Sequence, residues 1–306
     1  MALPFLAKSQ QPNTPLDTSF TINGTFLKEV KNFPFIEIAN PPMPDGIAAK
    51  ENIVYKTIAG RLLHLDIFYP LSRARTYPGV ILIHGGGWRS GNRSQTVPIA
   101  KQLAAKGYVT VAVEYRLSLE AKYPASVQDL KTAIQWMRAN ASTYRLDEKK
   151  IASMGFSSGG QLAALLGTTN GIKKLEDEGL DKKFSSDVQA VIDVDGILAF
   201  KHPESAEGAV AAFWLGGSYE EKPEIWKEAS PLTNVTKNTG PVLFINSSLP
   251  RFHAGRDDMI KKLDSLAIYS EVHTFPNTPH PFWFFNPWFE PTVKFSADFL
   301  DKVFRK

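Results

Sequence analysis

The chain has no cysteine among its 306 residues. That excludes a disulfide framework and a thiolate metal site, so burial of apolar surface must supply the stability. Long apolar runs are also missing, and none approaches the roughly 18 residues that a membrane-spanning helix needs. Charge of one sign is scarce, with 35 Lys and Arg against 31 Asp and Glu. These are dispersed along the chain, which argues against a nucleic-acid surface, although a pI near 9.0 would suit a polyanionic substrate. What is present is 43% hydrophobic and 22% charged residues, enough for one large core.

Residues 1–45 are rich in Pro, Asn and Thr, end in "NPPMPDG" and read as an extended N-terminal arm. The opening "MALPFLAKSQQ" has too short an apolar run, with Lys8 near it, for an intact signal peptide, and the remnant of a trimmed one is an open reading of it. Residues 46–306 read as a single domain. "NIVYKTIAGRLLHLDIFYP" alternates on either side of Ala59 and Gly60, the pattern of an antiparallel hairpin. The unbroken apolar runs "GVILIHGG", "VTVAVEYR", "KIASMGFS", "VQAVIDVDGIL" and "PVLFINSS" follow, with helix-period segments between most of them. Such runs are buried parallel strands. "PASVQDLKTAIQWMRANA" carries Val127, Leu130, Ile134 and Met137 on one helical face. The alternation predicts an α/β fold, a mostly parallel sheet with an antiparallel start and helices on both faces. Residues 199–240 interrupt it and read as a helical insertion.

In "MGFSSGG" the spacing Gly155-Phe156-Ser157-Ser158-Gly159 fits G-x-S-x-G, the sharp strand-to-helix turn that presents a nucleophilic serine, here Ser157. An ordinary glycine-rich turn has the same look. The earlier "LIHGGGWRSG", however, ends another strand with glycines that let backbone N–H groups approach a ligand oxygen. Gly86 and Gly87, with the N–H of Ser158, would form an oxyanion hole. A phosphate-cradling reading lacks the Lys-Ser/Thr that follows a P-loop. Of six histidines, His64 and His273 lie in strand-like runs and His84 belongs to the glycine loop. His280, in "FPNTPHPFWFF" after the last strand, is preferred over His253 as the base, because it comes late in the order Ser, acid, His.

With these motifs the chain resembles the α/β-hydrolase superfamily, in particular its HGGG-type esterase and lipase branch, over about residues 50 to 305. "GYVTVAVEYRLS" and "SPLTNVTKNTGPVLFIN" resemble strand and helix blocks of that branch. "DVDGILAFKHPES", "LPRFHAGRDDM" and "PHPFWFFNPWFEPTV" are similar, more narrowly, to bacterial carbohydrate esterases that remove acetyl or methyl groups from plant cell-wall polysaccharides such as pectin and xylan. The resemblance implies a serine esterase that needs no metal or cofactor, meets a polysaccharide or oligosaccharide ester, and works in the periplasm or as a secreted protein. A cytoplasmic location stays open. The alternative is a carboxylesterase or lipase for small apolar esters.

The third triad member departs from the family pattern, for the usual acid position falls near Ser248, where no carboxylate stands. Asp257 is the preferred candidate, and Asp258 and Asp195 remain open. Asp257 and Asp258 would also serve as favourable charges in the first turn of a helix. Candidate substrate contacts are Trp88 beside the oxyanion loop, Trp283 beside the base, and Arg251 and Arg256, whose planar forks suit a uronate carboxylate.

Overall fold

The structure is a computed structural model, and the described residues are 17–72, 74–177 and 183–305. The opening "MALPFLAKSQQ" lies outside the described residues. Ten strands run in chain order: β1 (Glu37–Ile38), β2 (Ile47–Ile58), β3 (Arg61–Pro70), β4 (Tyr77–Ile83), β5 (Val109–Val113), β6 (Leu146–Phe156), β7 (Ala190–Val194), β8 (Val242–Asn246), β9 (Ser270–Thr274) and β10 (Phe285–Asn286). The helices are α1 (Ile22–Glu29), α2 (Val97–Ala105), α3 (Ala125–Ala139), α4 (Ala141–Tyr144), α5 (Ser158–Thr168), α6 (Gly208–Leu215), α7 (Pro223–Glu228), α8 (Pro231–Asn234), α9 (Arg256–Ser265) and α10 (Phe289–Phe304).

Eight strands form one sheet in the order β2-β3-β5-β4-β6-β7-β8-β9. β2, β3 and β5 pair antiparallel, and every pairing from β5 to β9 is parallel. Side chains alternate across a strand, so β4 feeds two cores. Ile81 and Ile83 pack with Val127 and Ile134 of α3 and Leu162 of α5, whereas Val80 and Leu82 pack with Leu103 of α2 and Phe299 of α10. Both faces of the central strands are thereby covered, which is why those strands read as continuous apolar runs.

The segment expected to be an extended arm differs from that expectation. Its described part folds α1, capped by the Thr21 side chain, which accepts from the Gly24 N–H. Phe20 of this segment packs on Phe284, Phe26 on Phe285, and Phe33 and Phe35 on Trp288. The prolines that flank the segment, Pro15 and Pro34, and those of the closing "NPPMPDG" draw attention away from the Thr21 cap. Residues 199–240 carry α6, α7 and α8, whose Trp214 and Trp226 join Phe200 in the core that also holds Trp88.

Candidate active site

Parallel strands end on the same side of a sheet, and the chain places its polar, glycine-rich turns there. At the end of β6 the backbone turns at Ser157 with φ 55° and ψ −123°, a left-handed conformation that a non-glycine residue holds only under constraint. One restraint is the Ser157 N–H, which donates to Val194 O at 2.8 Å. A Cβ at Gly155 would overlap the Gly159 carbonyl, and one at Gly159 would overlap the carbonyls of Ile83 and His84. Neither position can carry a side chain, so the glycines of the motif follow from crowding around the serine. Ser158 opens α5, and its N–H has no acceptor within the helix.

His280 lies in the loop after β9. Its Nε2 is 2.8 Å from Ser157 Oγ and its Nδ1 is 2.9 Å from Asp195 Oδ2. An ionised carboxylate only accepts, so Nδ1 carries the proton and donates to Asp195, which leaves the Nε2 lone pair to accept from the serine hydroxyl. The other carboxylate oxygen, Oδ1, accepts from the Ser247 N–H at 2.8 Å. Asp195 is buried, and these two bonds fix both of its oxygens. Phe252 stacks face to face on the imidazole, with centroids 3.4 Å apart, and Trp283 meets the same ring edge-on at 5.3 Å.

The carboxylate beside His280 is therefore Asp195, which corrects the preference for Asp257. The Asp257 side chain is 68% exposed and pairs with Arg256 at 2.8 Å in the first turn of α9. Asp258 pairs there with His202 and Lys261. The physical reason is sheet geometry. β8 ends in "NSS" without a carboxylate, but β7 is its hydrogen-bonded parallel neighbour, with Val194 opposite Ile245. The residue after β7 thus reaches the place that the residue after β8 would occupy. Asp195 turns there with φ 51°, and Gly196 follows because a Cβ would overlap Asp193 and the Gln161 nitrogen. Asp193, within β7, is buried beside this turn, and burial, with Asp195 close by, pushes its carboxyl well above the usual carboxylate range.

Gly86 and Gly87 adopt φ 122° and 62° and follow Gly85, where a Cβ would overlap Phe156 O and press on the Ser157 side chain. The loop is thus laid directly against the serine turn. His84 belongs to this support: Tyr115 stacks on its ring at 4.5 Å, its Nδ1 donates to Gly85 O at 2.8 Å, and burial lowers its pKa from 6.5 to about 4.

Three of the four expected substrate contacts are engaged elsewhere. Trp88 is buried, stacked on Trp214 at 5.0 Å with its indole N–H on Gln161. Trp283 is buried between Phe156 and His280. Arg256 donates to Asp257 and to Asn246 Oδ1. Each is a large side chain that gains more from burial or pairing than from a place at the surface. Arg251 alone stays half-exposed, its guanidinium 4.3 Å from the Phe252 ring centroid and 3.6 Å from Glu207. Phe252 and Ser247 escaped the sequence reading. Phe252 sits in the turn "LPRFHAG", which offered two arginines and a histidine as more conspicuous chemistry.

Comparison with known proteins places this geometry in a family. Esterase LipC of Mycobacterium tuberculosis is 33% identical over 177 residues, 56% of this chain and 44% of LipC, so the chain spans less than half the length of that relative. A truncated carbohydrate esterase from gut microbiota superposes with a TM-score of 0.72 at 25% identity, covering 87% of this chain and 100% of that one. The bifunctional GH43-CE protein of Bacteroides eggerthii matches with a TM-score of 0.71 at 30% identity, covering 84% of this chain and 38% of its own. The family model BD-FAE matches residues 65–270, and with that span, which includes Ser157 and Asp195, the chain belongs to the BD-FAE family and has the α/β-hydrolase fold.

Proposed function

We propose that the protein is a serine esterase that removes acetyl or methyl ester groups from a plant cell-wall polysaccharide, pectin or xylan. The observation that carries the ester chemistry is His280 bonded at once to Ser157 and to the buried Asp195. Ser157 Oγ attacks the ester carbonyl carbon while its proton passes to His280 Nε2. The carbonyl oxygen becomes an oxyanion, held by the N–H groups of Gly86, Gly87 and Ser158. When the tetrahedral intermediate collapses, the C–O bond to the alcohol breaks and His280 returns the proton to that alcohol. Water then attacks the acyl carbon while its proton passes to His280, the bond from that carbon to Ser157 Oγ breaks, and His280 returns the proton to Oγ as the acid leaves. Asp195 orients the imidazole and stabilises its charged form without taking the proton.

The polysaccharide half of the proposal is supported by the names of the two carbohydrate-esterase neighbours and by Arg251, exposed beside the ring that covers the base. A carboxylesterase for small apolar esters is the second reading. It is favoured by Val210, which packs on Gly87, and by the exposure of Val210, Phe213 and Leu249. Release of acetate and methanol from pectin, xylan and p-nitrophenyl esters, measured side by side, separates the two. Asp195→Asn should lower kcat by about 10⁴-fold on every substrate, the scale seen when a triad carboxylate is made neutral. Asp257→Asn should stay near wild type. An active Asp195→Asn enzyme beside a dead Asp257→Asn enzyme would sink the assignment of the acid.

A further inference from the structure

We infer that Gln161 is a positioning residue for the esterase reaction, its amide holding the oxyanion loop in register with the serine turn. The inference rests on the serine-esterase reading above. Gln161 is fully buried on α5 and links the glycine loop, the insertion, the serine turn and the turn after β7. Its Oε1 accepts from the Trp88 indole N–H at 2.9 Å, and its Nε2 donates to Ala229 O of the insertion at 2.7 Å. Its backbone N–H donates to Ser157 O at 3.1 Å, and the same nitrogen lies against Gly196, the residue after Asp195.

Trp88 is the residue that needs holding. It directly follows Gly86 and Gly87 and adopts φ 58°, a conformation in which a bulky residue stays only when its surroundings fix it. Parallel stacking on Trp214 fixes the plane of the indole, and the Ser118 N–H fixes the Trp88 carbonyl at 2.8 Å. Phe200 abuts the indole at an angle, with centroids 5.5 Å apart, and the bond to Gln161 is the polar contact that sets where the indole sits along its plane. A primary amide is required, because one end must accept from an N–H and the other donate to a carbonyl. The ionised carboxylate of a glutamate supplies only acceptors, and methionine supplies no donor and only a weak acceptor.

The test is p-nitrophenyl acetate kinetics on wild type, Ser157→Ala, Gln161→Met, Gln161→Glu and Trp88→Phe, each checked for fold by circular dichroism. Removing an oxyanion donor outright costs about 10²–10³-fold. A displaced loop should lower kcat by about tenfold or more, with KM changed less than about twofold. A boronic acid, whose adduct on Ser157 puts an oxygen in the oxyanion hole, should lose affinity in parallel with kcat/KM. In Gln161→Glu the protonated carboxyl still donates to Ala229, so kcat should fall with rising pH where the wild-type rate does not. If Gln161→Met fails to fold, Trp88→Phe and the pH profile of Gln161→Glu decide alone. Values of kcat within twofold of wild type, or a Gln161→Glu pH profile parallel to wild type, would overturn the inference. An active Ser157→Ala enzyme would instead overturn the esterase reading beneath it.

Discussion

Arg251 is exposed because its two contacts, the face of Phe252 and a long pairing with Glu207, leave most of its donors to solvent. If those donors meet a uronate, the contact is remote from the scissile bond and is made equally before and in the transition state. Such a contact alters binding more than turnover. Arg251→Ala should therefore raise KM for acetylated or methylated pectin about tenfold, the scale of one charge-assisted hydrogen bond, while p-nitrophenyl acetate barely changes. Steady-state kinetics on both substrates check this, and an equal loss on both would mean that Arg251 only holds Phe252 over His280. Counting along the chain pointed past Ser248 to Asp257, yet the carboxylate, Asp195, came from the neighbouring strand end, because adjacency in a sheet is set by pairing and not by sequence distance.

Among the elements, the segment before α1 has a task that its composition concealed. Ser90 Oγ donates to Asp17 O at 2.8 Å and accepts from the Phe20 N–H at 3.0 Å, Arg89 Nε donates to Asp17 Oδ2 at 2.8 Å, and Gln95 Nε2 donates to Phe20 O at 2.9 Å. Ser90 in turn lies so close to Gly86 that a Cβ there would overlap its carbonyl. The segment thus straps the far side of the oxyanion loop. Ser90→Ala removes two of these bonds, each contributing about 1 kcal/mol. It should lower kcat several-fold and speed proteolytic cleavage near residue 20; unchanged cleavage and kcat would refute the strap. The strands and α3 were legible because burial on both faces, or on one helical face, writes itself into apolar periodicity. α6, α7 and α8 were legible only together, as one helical insertion, and α1 was not, since eight residues leave little periodicity to read, while the strap depends on partners some 70 residues away.

For the molecule as a whole, two buried groups oppose each other in acid. His84 titrates near 4 when folded and near 6.5 when unfolded. The unfolded chain therefore binds its proton first, and stability from this group is full above 6.5 and falls as pH drops toward 4. Asp193 is raised above 3.8 by burial and by Asp195. Here the folded chain keeps the proton, and the contribution is full below 3.8 and lost as pH rises. Between 4 and 6.5 the two slopes have opposite signs, with the lowered His253 acting in the same sense as His84. Asp193→Asn removes one side of the balance. Its unfolding free energy should rise with pH more steeply than that of wild type, measured by urea denaturation at pH 4.5 and 6.0. Parallel slopes would show Asp193 to be ionised in the folded protein.

The edge-on contact of Trp283 with His280 also gives the protein an optical property. A protonated imidazole accepts an electron from an excited indole and quenches its emission, while a neutral one does so poorly. Of six tryptophans, Trp283 is the one placed to sense the charge on His280. Its emission should dim when the base gains a proton, including when a substrate or inhibitor traps the imidazolium. Trp283→Phe should abolish that component of a fluorescence titration, and if the component persists it arises from another tryptophan. The enzyme would then report, in light and without an added label, the protonation state on which its turnover depends.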